Sequence, residues 1–395
     1  MSADTLREKA ARLDAVDPLR HCRELYVPAE GLVAYLDGNS LGRPLRATAR
    51  RLTRLVEHDW GSRLIRSWEE QWMELPLRLG DRIGAVCLGA APGQTVVGDS
   101  TTVMLYKLLR AAVAAAGPDR PEIVLDTANF PTDRYVAEGI AAETGAELVW
   151  IEPDPAKGVT PDLVAAALGD RTGVVLLSHV AYTSAWVADL PAITRLAHDA
   201  GALVLWDLCH SVGVVPGELD AHGVDLAVGC TYKFLGGGPG SPAFGYVAAR
   251  HQAGLRQPIQ GWMGHAEPFA MGPGYRPGPG MRAFISGTPP VLGMVAVDRE
   301  VLLGVEHGHQ RHVRVALGDP GVGAAAVFAH LRHGRRQLDQ CGRGDRGCIG
   351  AGAETEGHDV GEGHGATVPL PRQGTRNAPS PGPRRRHVAV GTGAR

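Results

Sequence analysis

Seven short apolar runs recur between residues 95 and 247. They cover 95–97, 122–125, 147–151, 173–177, 203–206, 226–230 and 243–247. Four or five consecutive apolar residues without alternation fit strands buried on both faces. Between most of them, apolar residues recur at helical spacing, over about 101–115, 134–144, 161–168 and 190–200. This alternation predicts an α/β fold, a mostly parallel, seven-stranded sheet with helices on both faces. In such sheets ligands bind beyond the C-terminal ends of the strands. The sequence places Thr101, Asp133, Ser178, Asp207 and Lys233 there, and their convergence is more specific than any one of them.

Residues 203–238 concentrate the pattern. One run ends at Asp207, with His210 three residues on. The next leads into Thr231-Tyr232-Lys233, and Gly236, Gly237 and Gly238 follow. A lysine after a strand is commonly a solvated strand end, but Lys233 sits in an apolar, glycine-rich stretch. An acid and a lysine on neighbouring strand ends suit a pyridine-type cofactor. The lysine would be its Schiff-base partner and the carboxylate would face the ring nitrogen. Further upstream the run at 95–97 gives way to Gly98-Asp99-Ser100-Thr101-Thr102 and a helix. Free N–H groups and the dipole at a helix start favour a phosphate, with the threonine hydroxyls as added donors. Ordinary capping by Ser or Thr is the alternative.

Composition sets limits. A chain of 395 residues allows one large or two ordinary domains. A formal charge of −2 gives no global electrostatic case for a nucleic acid or membrane partner. No apolar run approaches the roughly 18–20 residues of a membrane span. The charged N-terminus is not a signal peptide, so a cytoplasmic protein is expected. The 6 cysteines are scattered without a CxxC pair, which fits a reduced protein with no metal site. Cys209 and Cys230 read as small core residues. His179 and His265 divide between pocket and packing.

The remaining segments are plainer. Residues 4–27 read as a helix, 35–42 as a strand end breaking into a turn, 44–59 and 77–90 as further helices. Trp60, Trp68 and Trp72 lie in one stretch, and Trp68 and Trp72 are a helical turn apart. They read as core or dimer packing rather than substrate contacts. Residues 256–290 are rich in Gly and Pro and should form an ordered loop across the sheet edge, with Trp262, His265 and Thr288 standing out.

Seven motifs in order then resemble the kynureninases: YLDGNSLG, GDSTTVMLYKLL, NFPTDRYVAEG, LLSHVAYTSAW, LWDLCHSVG, CTYKFLGGGPG and GWMGH. The resemblance covers residues 1–300 and implies the fold type I scaffold of pyridoxal 5'-phosphate enzymes, whose large domain this stretch would form. It implies hydrolysis of L-kynurenine, and of its 3-hydroxy form, to anthranilate or 3-hydroxyanthranilate and L-alanine, in tryptophan catabolism and NAD biosynthesis. Lys233 would be the Schiff-base lysine, Asp207 the ring-nitrogen partner and Tyr232 a proton relay. Thr101, Thr102, Phe130, Asp133, Ser178 and His210 would complete the cofactor site. Trp262 and Thr288 would reach the phosphate across a homodimer interface, and Ser40 would contact substrate. A desulfurase or aminotransferase on the same scaffold is the alternative chemistry, although no cysteine stands on an evident loop to serve desulfuration.

The pattern breaks near residue 300. Residues 301–395 are rich in Gly, Arg, His and Pro, and 306–395 contain no lysine. Apart from 324–331 they show no sustained period of 2 or 3.6. The resemblance implies a small C-terminal domain here, with an arginine for the substrate carboxylate, and no segment matches it. Residues 301–395 are therefore read as a low-complexity tail, either disordered or out of frame after a shift near residues 298–306. A catalytically impaired, cofactor-binding protein is the functional alternative this raises.

Overall fold

The structure, a computed structural model, describes residues 3–18, 20–32, 34–297 and a strand at 385–388. The seven predicted strands are all present: β1 (Thr95–Gly98), β2 (Glu122–Asp126), β3 (Glu147–Ile151), β4 (Thr172–Ser178), β5 (Leu203–Asp207), β6 (Leu226–Cys230) and β7 (Ala243–Val247). An eighth, β8 (Arg385–Val388), pairs parallel with β3. The sequence showed no period of two in that stretch. An open sheet edge recruits strands through backbone groups, which composition does not report. Everything else in 301–395 lies outside the described residues, and with it the reading of that segment as a tail.

The order across the sheet is β1-β7-β6-β5-β4-β2-β3-β8. Only β7 runs against its neighbours β1 and β6. Register puts Ser178 opposite Asp207, and Asp207 opposite Val228, so the ends of β4, β5 and β6 lie side by side. The absence of alternation in the sequence has its cause here. Val175, Leu177, Val204 and Trp206 enter one core, while Val174, Leu176 and Leu205 enter the other.

Helices cover both faces. In chain order they are α1 (Ala3–Val16), α2 (Arg46–Arg54), α3 (Leu75–Ile83), α4 (Thr101–Ala116), α5 (Pro131–Thr144), α6 (Pro161–Ala167), α7 (Leu190–Asp199), α8 (Ala249–Gln252) and α9 (Val291–Ala296). α4 and α5 bury Met104, Leu108, Ala137 and Ile140 in one core, and α3, α6 and α7 bury Ile83, Val164 and Ile193 in the other. The helix predicted over 4–27 ends early. α1 stops at Val16 and a 3₁₀ turn, Arg20–Leu25, follows. Pro18 explains the break, because it lacks an N–H and disfavours helical backbone in the residue before it. Residues 256–290 are ordered as three short 3₁₀ turns and bury Met263, Met281, Phe284 and Ile285 in the α4 core. Trp68 and Trp72 meet edge to face at 5.4 Å between ring centroids. No helix among the described residues is long and apolar enough to cross a membrane.

Candidate active site

The loop after β6 is shaped by its own backbone. Gly236 N–H donates to the Lys233 carbonyl at 3.0 Å and Gly237 N–H to the Thr231 carbonyl at 2.9 Å. Gly236 and Gly238 have φ of 62° and 85°, a region glycine enters without strain. This turn directs Lys233 back over the sheet edge, where the residue is 5 % exposed. A second segment braces it from outside. Gly42 N–H donates to the Tyr232 carbonyl at 2.9 Å. A side chain at Gly42 would overlap the Lys233 carbonyl oxygen.

Around the lysine stands a ring of aromatic groups. Lys233 Nζ lies 2.7 Å from His210 Nε2, 5.6 Å from the Phe130 ring centre and 5.7 Å from that of Tyr232. Tyr182 closes the set, 5.2 Å from Phe130 and 6.3 Å from His210. Burial first, and the neighbouring lysine second, lower the His210 pKa to about 4, so the ring is neutral near pH 7. A neutral ring can accept a hydrogen bond from the lysine at Nε2. Burial pushes Tyr232 upward, so its phenol keeps its proton.

The acidic side of the site is built from three strand ends. Asp207 closes β5 and is 3 % exposed. Its Oδ1 accepts from Cys209 N–H at 2.8 Å, while Ser178 Oγ stands 3.4 Å from Oδ2. Ser178 donates instead to Asn129 Oδ1 at 2.7 Å. Burial, then Asp207, then Asp126 push Asp133 well above the carboxylate range. Burial raises Asp126 to about 7. The sheet end therefore holds several buried carboxyls with too few cations to ionise them all. A cavity of about 290 Å³ opens here, lined in part by Asp126, Asn129, Ser178 and Tyr182. A larger one, about 380 Å³, lies elsewhere, among Arg51, Trp72, Arg78 and Met294, and touches no predicted site residue.

Lys233, His210, Phe130, Tyr232, Asp207, Ser178 and Asp133 are thus brought together. Thr101 and Thr102 open α4, but Ser100 is the cap, its Oγ accepting from Val103 N–H at 3.4 Å. The two threonine hydroxyls are left without that duty. Ser40, Trp262 and Thr288 are exposed and form no hydrogen bond with Lys233 or Asp207 among the described residues. His179 packs under the site against Trp206, and its 5 % exposure lowers its pKa to about 4. His265 serves its own loop, with Nδ1 on the Glu267 backbone. Cys209 and Cys230 are buried thiols. Sequence reasoning missed Asn129, Tyr182 and Asp126. The first two stand inside motifs singled out above, and Asp126 ends a predicted strand, so position was the available signal.

Residues 85–306 match the aminotransferase class-V family. The chain is 46% identical over 298 residues to the kynureninase of Burkholderia pseudomallei strain 1106a, covering 74% of this chain and 70% of that protein. The chain belongs to the kynureninase family. The Pseudomonas fluorescens kynureninase is 42% identical over 324 residues, covering 80% and 76%. Among solved structures, an Escherichia coli cysteine desulfurase superposes with a TM-score of 0.62 at 16% identity, covering 76% of this chain and 74% of that one. The cystine C-S lyase C-DES in complex with cysteine persulfide gives 0.59 at 18%, covering 69% and 71%. Likenesses at that identity concern the fold alone.

The chemistry of this site fits pyridoxal phosphate. Asn129 Nδ2 and Asp133 Oδ2 are buried without a hydrogen-bond partner among the described residues. Such orphans cost about 1–3 kcal/mol each, which a polar heteroaromatic ligand would recover. Asp207 shares a hydrogen bond with Asp133, and its Oδ2 takes only a long contact from Ser178 at 3.4 Å, which a ring N–H can replace.

Proposed function

We propose that the chain hydrolyses L-kynurenine to anthranilate and L-alanine with pyridoxal 5'-phosphate as cofactor. The observation that carries this reading is Lys233, a buried lysine without a carboxylate ion pair among the described residues, set two strand ends from the loop of Thr101 and on the strand end next to that of Asp207 in a kynureninase-family chain. When bound, the cofactor supplies an electron sink that labilises the bonds at the substrate Cα.

The residues then take distinct tasks. Lys233 holds the cofactor and afterwards acts as base for the Cα proton, with neutral His210 positioned to accept from its ammonium. Asp207 keeps a proton on the ring nitrogen. Phe130 covers the ring, and Asn129, Asp133 and Ser178 hold polar substituents. Thr101 and Thr102 hold the phosphate with the α4 N-terminus. Tyr232 keeps its proton near neutral pH, which suits a donor to Cβ after the Cβ–Cγ bond breaks. Water supplies the hydroxyl that ends on the anthranilate carboxyl, so the overall reaction balances. Ser40 contacts substrate. A cytoplasmic homodimer would bring Trp262 and Thr288, exposed here, to the phosphate of the neighbouring site, and residues 1–300 form the cofactor domain.

A second reading, a chain that binds cofactor without turning substrate over, has one observation in its favour. The family match ends at residue 306, and the sequence beyond it shows no segment matching the small domain expected to supply an arginine for the substrate carboxylate. One experiment separates the two. Purified chain mixed with pyridoxal phosphate should develop a visible absorbance band that the Lys233→Ala variant lacks, and added kynurenine should yield anthranilate fluorescence. A band without fluorescence selects the second reading. No Lys233-dependent band removes both.

A further inference from the structure

Lys107 is fully buried, and none of the roles above uses it. It lies on α4, among Met104, Leu105, Leu108 and Leu109, all buried apolar residues, where a methionine or leucine would continue the pattern. Its ammonium instead meets Asp99 Oδ2 at 2.5 Å, Ser286 Oγ at 3.1 Å and the Phe284 carbonyl oxygen. An ammonium has three protons, so each is accounted for. Removing a lysine from water and pairing it in the interior is commonly no gain in stability over an apolar side chain. The use of this group is therefore geometric.

Both ends of the contact matter to the site. Asp99 precedes the cap Ser100 and has φ of 53°, a left-handed backbone in a residue with a side chain. That conformation costs about 1–3 kcal/mol and persists only where its surroundings impose it. Here the imposing contacts are Lys107 and Ser286 on its carboxylate and Ala243 N–H on its carbonyl at 3.0 Å. At the other end, Ser286 lies two residues before Thr288. Its carbonyl packs so closely on Gly261 that a side chain there would overlap it, and Gly261 precedes Trp262.

We propose that Lys107 is a positioning residue that locks the Asp99–Thr102 turn, which holds the phosphate, against the 284–288 strap, which carries Thr288 toward the neighbouring site. The proposal rests on the pyridoxal phosphate reading. Without the strut, Asp99 relaxes toward ordinary backbone and the N–H groups of Thr101 and Thr102 turn away from the phosphate. The pyridine side of the site, built on β4, β5 and β6, is untouched.

The test compares pyridoxal phosphate with pyridoxal, which lacks the phosphate, by titrating the Lys233-dependent absorbance. Lys107→Met should weaken the phosphorylated form about 10- to 100-fold, the size of a small misplacement, and leave pyridoxal little changed. Ser286→Ala removes one arm of the strut and should shift the same ratio by a smaller factor. It carries the test if Lys107→Met does not fold. A general loss of packing would weaken both forms together. Wild-type ratios in the folded variants overturn the strut. A wild-type chain that gives no band with either form overturns the cofactor reading, and the strut falls with it.

Discussion

Lys233 Nζ and His210 Nε2 lie 2.7 Å apart within the ring formed by Phe130, Tyr182 and Tyr232. With His210 neutral, the imidazole carries its proton on Nδ1 and accepts from the lysine. The contact orients the amine without an opposing charge. His210→Phe keeps the ring and removes the acceptor. It should lower the rate of kynurenine cleavage about 10²-fold or more while the protein stays folded, the usual scale for a group that positions a proton. Steady-state kinetics beside a thermal melt check this, and an unchanged kcat would remove His210 from the proton path.

Gly42 makes a second prediction. Its N–H holds the Tyr232 carbonyl, and a side chain there would enter the Lys233 carbonyl oxygen. Gly42→Ala must push the 35–42 turn off the lysine loop. None of residues 35–42 is buried, so the melting temperature should change little while cofactor affinity falls at least tenfold, on the scale of a displaced catalytic group. A large loss of stability with unaltered affinity would mean that the turn braces the fold and not the lysine.

Much of this was legible in the sequence, and the reasons differ by element. The strands of the sheet centre are apolar on both faces because two helix layers cover them, so they announce themselves as unbroken runs. Asp207 and Lys233 are legible because a charged residue inside such a stretch contradicts its surroundings. Asn129 and Tyr182 were not, since an asparagine near a turn and a tyrosine in a loop are ordinary until the fold brings them beside Ser178 and His210. The Lys107 strut was equally hidden. Its partners Asp99 and Ser286 are 8 and 179 residues away along the chain, and no local pattern links them.

The similarity to kynureninases also bears on the gene. A chain 46% identical over 298 residues that then turns lysine-free and rich in Gly and Arg suggests a shifted frame. The other two frames past codon 298 should contain one that restores strand and helix alternation with an arginine available for a carboxylate. Sequencing that region and translating it decides the matter. If neither frame does so, residues 301–395 are the native continuation.

At the opposite edge of β6 from Lys233, Asp225 is 2 % exposed and receives Val204 N–H at 2.8 Å, His198 at 2.8 Å, Arg250 at 2.6 Å and His251 at 2.7 Å. Burial alone would raise its pKa, but the Val204 N–H and the two histidines outweigh burial and hold it below the ordinary value. A depressed carboxylate contributes stability above its unfolded pKa and loses it as pH falls through the folded one. Asp225→Ala leaves the Val204 N–H unmatched and takes an acceptor from Arg250 and the two histidines, so it should cost about 1–3 kcal/mol at pH 7. The difference from wild type should shrink as pH falls from about 4, where the unfolded carboxyl takes up its proton, toward the lower folded value. Denaturant unfolding at pH 7 and pH 3.5 measures both, and a pH-independent difference would assign the loss to packing.

Asp126 should behave in the opposite sense. Burial raises its pKa to about 7, from an unfolded value of about 3.9. Between those values the folded chain binds more protons than the unfolded chain, so stability falls as pH rises. Three pKa units correspond to about 4 kcal/mol at most, reached only above pH 7. Asn at this position keeps an oxygen for the Ala128 and Asn129 backbone N–H groups and never ionises. Asp126→Asn should therefore match the wild type near pH 4 and exceed it by about 2–4 kcal/mol at pH 8, measured on the cofactor-free chain by urea unfolding. Asp133 titrates against the same neighbours, so the midpoint belongs to the pair rather than to Asp126 alone. Parallel stability curves for the two proteins across this range would show that Asp126 is ionised throughout, and that the acidic side of the site finds its counter-charge in Lys233 and Arg134.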